Sequence, residues 1–460
     1  MSTVKPSIPK GTRDFSPVVI SKRNYLKAQL ATVFESFGFQ PIETPSFERS
    51  ETLLGKYGEE GDRLIFKILN SGEKIKNIDL QALQNGELSK FSNSLSQKAL
   101  RYDLTVPFAR YVAQHQNDIV FPFRRYQIQT VWRADRPQHG RFQEFLQCDA
   151  DVVGERSLWN EVEGVLLYDR AFTMLDLKGV QVHFNHRKIL AGVAQFIGAE
   201  SQFMNFTVAL DKLSKIGKDG VIKVLQSKGF TSSAIERLKP FLSLEGNFET
   251  QLRSVAKVLE GIEIAEEGID ELKFIYNQLN RQPLKAVNLK FDITLARGLN
   301  YYTGLILEVM PPEGIKIGSI GGGGRYDNLT DLFGLNNTSG FGISFGFDRI
   351  FLVLEELNLF PSNLEEKVKL MFSNFGDDSV SFCFDQLIKL RDKHFPCELY
   401  PKPVKLKKQL NYANERSIPN VVILGSEEMQ KKVFVLKNMV SGNQKEYPID
   451  QMFDILLDLD

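Results

Sequence analysis

Cysteine is scarce in this chain: Cys148, Cys383 and Cys397 are the only three among 460 residues. They stand too far apart to supply the ligand spacing of a zinc site or the pairs of a disulfide framework. A reducing interior and cytoplasmic residence are the expectation. The five histidines, His115, His139, His183, His186 and His394, occur in no metal-binding spacing, and there is no GxSxG elbow. No metal site built from side chains is therefore predicted. No stretch approaches the ~20 consecutive apolar residues of a membrane span. The opening residues, MSTVKPSIPKGTRDF, lack the apolar core of a signal peptide, so neither membrane insertion nor secretion is expected. A net charge is missing too: 57 Lys plus Arg balance 57 Asp plus Glu. A nucleic-acid partner would have to be held by local patches, which excludes a histone-like, charge-driven binder.

What is present, 42% hydrophobic and 25% charged residues with 34 Gly and 18 Pro, is the composition of an ordinary globular protein of two or three domains. Ser16-Pro17 offers a cap and a first-turn proline. Val19, Leu26, Leu30, Val33, Phe34 and Phe37 then recur at helical spacing until Gly38. The two prolines of Gly38 to Pro45 suit an extended segment at an edge or a subunit interface. From about 186 to 285 the texture turns helical, in Val221 to Lys228, Ala234 to Leu242 and Gly261 to Gln278. Alternation over Val287 to Leu295 predicts a returning strand. Beyond Asn363, apolar runs at Val368 to Phe375, Cys397 to Tyr400, Asn420 to Leu424 and Val433 to Leu436 alternate with helical stretches. That rhythm predicts a separate α/β domain.

Four segments carry candidate chemistry. Tyr126 to Asp151 reads as two strands joined by a polar loop at Ala134 to Gly140. In the second strand Arg141, Gln143, Phe145, Gln147, Asp149 and Asp151 share one parity. Such a row is either a solvated sheet face or a ligand surface, with Phe145 for stacking and Arg133 and Arg141 placed to grip phosphate oxygens. Arg101 to Arg110, RYDLTVPFAR, puts Asp103 and Thr105 on one strand face, though an N-cap pair fits as well. Leu295 to Val309, LARGLNYYTGLILEV, approaches a turn with paired tyrosines that core packing would equally explain. Gly318 to Tyr326, GSIGGGGRY, is either a flexible turn or a place for close backbone approach to a ligand, and GFGISFGFDRIFLVL follows at Gly340.

Together these segments resemble class II aminoacyl-tRNA synthetases. YQIQTVWRADRPQHGRFQEFLQCDAD is similar to motif 2, Gly-Phe-Asp-Arg before an apolar helix to motif 3, and Gly38 to Pro45 to the dimer-forming motif 1. Arg-Gly-Leu-Asn-Tyr-Tyr resembles the signature of the histidyl-tRNA synthetase family, departing from it at Asn300, where the pattern has aspartate. The resemblance implies an α+β fold: a class II antiparallel-sheet catalytic domain in two parts, 1–185 and 286–358, a helical insertion at 186–285, and a C-terminal α/β anticodon-binding domain at 365–460.

It further implies histidine–tRNA ligation. L-histidine and ATP form histidyl-adenylate with Mg2+ on the phosphates, and histidine then passes to tRNA(His), in a homodimer with no membrane attachment. Carried over residue by residue, Arg133 and Arg297 are the catalytic cations at the α-phosphate. ATP is held by Arg133, Asp135, Arg141, Phe145 and Arg349. Histidine is held by Asp103, Leu104, Thr105 and Gln147 near its amino group, with Arg133 and Arg297 at the carboxylate. Asp151, Tyr301, Tyr302 and Tyr326 complete the pocket, Asp151 pairing with Tyr302 to supply an acceptor and a donor for the imidazole. Lys402, Lys405, Lys407 and Lys408 are a candidate tRNA phosphate patch, with a solvated helix face as the plain alternative. A non-catalytic, histidine-sensing regulatory paralogue of histidine biosynthesis is the rival reading. The presence of Arg133, Arg141, Arg297 and Arg349, and of about a hundred residues after motif 3, opposes it.

Overall fold

The computed structural model describes residues 5–55, 61–296, 302–362, 364, 368–376 and 378–459. The chain forms two compact units, one of residues 1–16 and 22–360, the other of 17–21 and 361–460.

An eight-stranded sheet organises the first unit. In chain order its strands are β1 (Gln40–Pro41), β2 (Phe123–Trp132), β3 (Glu144–Val153), β4 (Val180–His186), β5 (Val287–Phe291), β6 (Leu305–Met310), β7 (Gly321–Tyr326) and β8 (Gly340–Phe345). In space they run β1-β2-β3-β8-β7-β6-β4-β5. The central pairs are antiparallel, and the two edge pairs, β1 with β2 and β4 with β5, are parallel. Of the two prolines of Gly38 to Pro45, Pro41 thus lies on an edge strand, where proline is tolerated, and Pro45 lies beyond it.

Helix α1 (Pro17–Ser36) buries Leu26, Leu30, Val33 and Phe34. Phe34 stacks on Tyr126 at 5.2 Å and meets Phe345 edge-on. These rings belong to the sheet face whose β2 and β3 members, Tyr126, Ile128, Cys148 and Ala150, are apolar and buried. Helix α3 (Trp159–Met174) packs Tyr168 and Phe172 on the same Phe345 ring, while helix α2 (Thr105–Gln114) sets Phe108 4.2 Å from the Arg125 guanidinium on the other face. Tyr168 of α3 donates its hydroxyl proton at the Gly322 and Ser344 carbonyls and accepts from Gly322 N–H, so one side chain ties β7 to β8.

The stretch 186–285 is helical, as its composition predicts, with boundaries that differ in detail. Val221 to Lys228 belongs to a helix Leu213–Ser227 bent at Gly217 (φ 68°), and Ala234 to Leu242 divides into a helix Ser232–Leu238 and a 3-10 turn Lys239–Ser243. Asp169 on α3 closes the stretch by accepting the backbone N–H groups of Lys285, Ala286 and Val287. The strand predicted for Val287 to Leu295 stops at Phe291. The Asp292 carboxylate caps Thr294 N–H and accepts its hydroxyl, turning the chain, and Asn185 donates to the Ile293 and Leu295 carbonyls. Local polar bonds override the alternating pattern there.

The second unit carries a five-stranded sheet of β9 (Leu370–Phe372), β10 (Cys397–Leu399), β11 (Asn420–Ile423), β12 (Val433–Asn438) and β13 (Gln444–Pro448), in the order β10-β9-β11-β12-β13. Its core gathers Phe372, Leu387, Val422 and Phe434. Strand β13 went unpredicted because Gln444, Lys445 and Glu446 are exposed on an edge and carry no apolar alternation. Among the described residues no helix is long and apolar enough to cross a membrane, and no cluster of three or more metal-ligating side chains is present.

Candidate active site

One face of the sheet is polar from edge to centre. Register places Arg125 opposite Asp151, Gln127 opposite Asp149, Gln129 opposite Gln147 and Val131 opposite Phe145. Across β3, Gly342 faces Asp151 and Ser344 faces Asp149; Gly322 then lies between Ser344 and Glu308. A solvated face is ruled out, because Gln147, Asp149 and Asp151 are 9%, 2% and 2% exposed. Polar side chains this deep need partners or a ligand. The parity row begins later than the sequence suggests: Arg141 and Gln143 precede β3, in a loop closed by a bridge between Gln138 and Arg141.

A cleft of about 450 Å³ opens over this face, and Arg133, Arg141 and Arg349 all line it. Arg133 Nε donates to the Tyr102 carbonyl at 3.0 Å, and its guanidinium lies 4.3 Å from the Tyr102 ring and 5.3 Å from that of Phe145. Arg141 Nε is 3.4 Å from Asp135, which also lines the cleft. Arg349 Nε donates to Gly140 O at 3.0 Å and Nη1 to Ser319 O at 2.7 Å. Burial pushes its pKa down, with Arg141 and Arg133 close by adding to the shift and Glu308 and Asp135 opposing it. The sequence predictions Arg297 and Tyr301 lie outside the described residues.

Asp103 and Thr105 line the cleft, but not on a strand. Thr105 begins α2, and Asp103 Oδ1 accepts Val106 N–H at 3.1 Å. The carboxylate satisfies a first-turn donor that has no partner within the helix. Of the two readings offered by the sequence, the helix-capping one holds for Asp103 and the strand one does not, and Leu104 between them is fully buried in the core.

Asp151 and Tyr302, expected to offer the imidazole an acceptor and a donor, have different surroundings. Tyr302 lines the cleft, whereas Asp151 Oδ2 lies 2.8 Å from Arg125 Nη2 and its Oδ1 accepts the Tyr326 hydroxyl at 2.7 Å. Arg125 is fully buried and a buried guanidinium needs a carboxylate. Burial pushes the Asp151 carboxyl up against the opposing pull of Arg125 and Tyr326, and pushes Asp149 up to about 7, with Arg125 opposing and Asp151 reinforcing. The glycine run is a strand, not a flexible turn. A Cβ on Gly323 would meet Gly342 O at 2.3 Å, and one on Gly324 would meet Leu305 O at 2.5 Å.

Arg125, Asp149 and Asp348 were not singled out from sequence. Arg125 shares parity with Gln127 and Gln129, a polar series that mirrors the one in β3, so pairing the two strands would have exposed it. Asp348, at the start of helix α4 (Phe347–Glu356), accepts from Arg13, Arg23 and the backbone N–H of Leu146. No local signal reveals that junction.

An arginine-lined cleft on a largely antiparallel sheet, with a separate α/β unit following, is the arrangement of a class II aminoacyl-tRNA synthetase. The family model for histidyl-tRNA synthetase matches residues 11–76 and 79–350, and that for an anticodon binding domain matches 374–459. The chain is 58% identical over 440 residues to the histidine–tRNA ligase of Christiangramia forsetii, covering 96% of each chain. It is 53% identical to that of Flavobacterium johnsoniae, covering 98% of this chain and 99% of the other. The crystal structure of histidyl-tRNA synthetase from Nostoc sp. PCC 7120 superposes with a TM-score of 0.78 at 28% identity, over 99% of both chains. The chain belongs to the histidyl-tRNA synthetase family.

The close fit of Asp151 against β8 is testable. A Cβ on Gly342 would lie 2.0 Å from Asp151 Oδ1, so Gly342→Ala must displace the carboxylate from Arg125 and Tyr326. A loss of about 1–3 kcal/mol is expected, read as a lower denaturant midpoint at unchanged slope; an unchanged midpoint would refute the packing described.

Proposed function

We propose that this chain ligates histidine to tRNA by way of histidyl-adenylate, using the cleft described above. The observation that carries the proposal is the convergence of Arg133, Arg141 and Arg349 with Phe145 at one cleft over a buried polar sheet face. Three cations and an aromatic ring suit a triphosphate and its base. The buried carboxylates and amides behind them suit a small zwitterion carrying a ring with one donor and one acceptor.

Adenylate formation requires no nucleophilic side chain: the histidine carboxylate itself attacks the α-phosphorus and pyrophosphate leaves. The protein's task is to hold two anions in line and to neutralise the charge that develops. Arg133 and Arg297 bracket the α-phosphate in this proposal, while Arg141 and Arg349 hold the γ-phosphate and Phe145 stacks on adenine. Asp103, Thr105 and Gln147 take the α-ammonium, and Tyr301 and Tyr302 flank the imidazole. Asp151 and Tyr326 shape the pocket from beneath, as a pair locked to Arg125.

Magnesium keeps several waters and binds through one or two carboxylates plus substrate phosphates. The cleft fits that habit, since it offers separated carboxylates, Glu308 among them, and no closed cage among the described residues. Glu308 would share the ion with the phosphates, and the ion would supply further charge neutralisation.

The proposed domains are a catalytic domain at 1–185 and 286–358, an insertion at 186–285 and an anticodon-binding domain at 365–460, in a cytoplasmic enzyme. Histidine-dependent ATP–pyrophosphate exchange without tRNA is the direct test; exchange driven by a different amino acid, or none with histidine, would sink the assignment. Arg297→Ala should lower the exchange rate roughly 10²-fold or more with a smaller effect on histidine binding, and an unchanged rate would remove Arg297 from the mechanism.

The edge position of β1 supports a homodimer through Gly38 to Pro45, as a second copy would cover the exposed backbone of Gln40 and Pro41. Sedimentation at micromolar concentration that shows only a 52.3 kDa species would contradict it.

Lys402, Lys405, Lys407 and Lys408 are all exposed, and the last three cluster at the first turn of the helix Leu406–Glu415. Cations there oppose the helix dipole, a tension that tRNA phosphates would relieve. Lys405→Glu with Lys408→Glu should reduce tRNA charging, more so at low salt, and leave exchange intact. Lost exchange with preserved charging, or a charging defect insensitive to salt, would refute the patch.

A further inference from the structure

Gln147 lines the cleft with only one end of its amide committed. Its Nε2 donates to Asp149 Oδ2 at 2.7 Å in a buried bond. Its Oε1 is buried and has no hydrogen-bond partner. A carboxylate can only accept, so it fixes which end of the amide it faces and leaves the oxygen as the atom offered to a ligand. A buried acceptor without a partner is costly, and a donor brought by a ligand removes that cost.

We infer that Asp149 is a positioning residue: it locks the Gln147 amide with its oxygen presented to the cleft, and so makes Gln147 an acceptor for the substrate's α-ammonium. The inference rests on the proposed histidine-binding role of the cleft and extends it to a residue that does not line it. Were the amide reversed, Nε2 would present two N–H donors to an ammonium, and binding would become repulsive.

The surroundings make Asp149 able to change state. On its own face stand Arg125 of β2, Asp151 of β3, Ser344 of β8, which hydrogen-bonds it, and Asp103 before α2, while Cys148 and Tyr168 act on it from the opposite, apolar face. Arg125 is the single cation in that group and is shared with Asp151. Burial pushes the carboxyl up to about 7, with Arg125 opposing. Once protonated it becomes a donor and favours Gln147 Oε1 turned towards it. The sign follows: the binding orientation is held above about 7 and is lost as pH falls through it, and a bound ammonium would favour the ionised form.

The test measures KM for histidine and for ATP in the exchange reaction of the full chain from about pH 6 to about pH 8. Asp149→Asn should raise the histidine KM roughly tenfold at the upper pH, the scale of one charge-assisted hydrogen bond, with the ATP KM within about twofold. The ratio of variant to wild-type KM cancels the titration of histidine's own imidazole, and it should shrink towards one as pH falls. In a Gln147→Ala background the further change Asp149→Asn should add less than about twofold, because the residue acts through the amide. A histidine KM unaltered by Asp149→Asn, or effects that multiply independently in the double variant, would overturn the inference while leaving the function intact. A wild-type chain that does not use histidine would overturn both. If Asp149→Asn does not fold, Gln147→Ala against wild type decides: the wild-type histidine KM must rise more steeply on acidification than the variant's, and parallel profiles refute the coupling.

Discussion

Four consecutive glycines in the interior of an eight-stranded sheet sacrifice about 0.5–1 kcal/mol each in backbone entropy relative to alanine, and β7 is built of them nonetheless. The geometry explains why. On one face, Cβ atoms at Gly321 and Gly323 would meet Tyr168 and the backbone of β8; on the other, those at Gly322 and Gly324 would meet carbonyls of β6. A strand without side chains lets α3 approach from below, where Tyr168 bonds directly to its backbone, and keeps the floor of the cleft open above. With ordinary side chains at these positions there would be neither the close helix packing nor the space in which a substrate is proposed to lie.

The charges near this strand fall into two groups that obey different physics. Those in the interior come as compensated sets. Arg325 makes a two-pronged contact with Glu161, and Asp348 gathers Arg13, Arg23 and the backbone of β3. Removing one partner from such a set leaves an uncompensated buried charge, about 3–5 kcal/mol in comparable cases, so these sets fix the positions of β7, β3 and α4. The cleft is arranged differently, with Arg133, Arg141 and Arg349 on its wall, Arg141 close to Asp135, and Arg349 depressed in pKa by burial and by its cationic neighbours against the pull of Glu308 and Asp135. Buried, tightly paired charges hold the frame, and the cleft arginines are steadied by single, looser contacts.

Periodicity made much of this legible in advance. The amphipathic spacing of Leu26, Leu30, Val33 and Phe34 predicts α1, and the parity of Phe145, Gln147, Asp149 and Asp151 predicts a shared face. What periodicity cannot express is depth. The same parity describes a solvated row and a buried one, and only the packing of β8 on β3 settles that Asp149 and Asp151 are interior. Long-range pairing is also silent in one dimension. Tyr326 reaches Asp151 across 175 residues of sequence, and Asp348 reaches Arg13 across 335. Short polar bonds defeated the pattern twice more, at Asp103, which caps a helix, and at Asp292, which ends a strand.

Strand β3 joins the two halves of the proposed reaction. Phe145, at its outer end, belongs to the wall proposed for ATP; Gln147 and Asp149, two and four residues on, belong to the floor proposed for the amino acid. A strand advances about 3.3 Å per residue with alternate side chains on one face. The separation between adenine stacking and ammonium recognition is therefore set by covalent geometry and not by loop conformation. A slip of one residue would replace the whole polar series by Leu146, Cys148 and Ala150. The antiparallel partners on either side, β2 and β8, forbid that slip, because it would also bring Tyr126 and Ile128, now against the apolar face, opposite carboxylates. Correct register of this one strand is the condition on which both the fold and the chemistry depend.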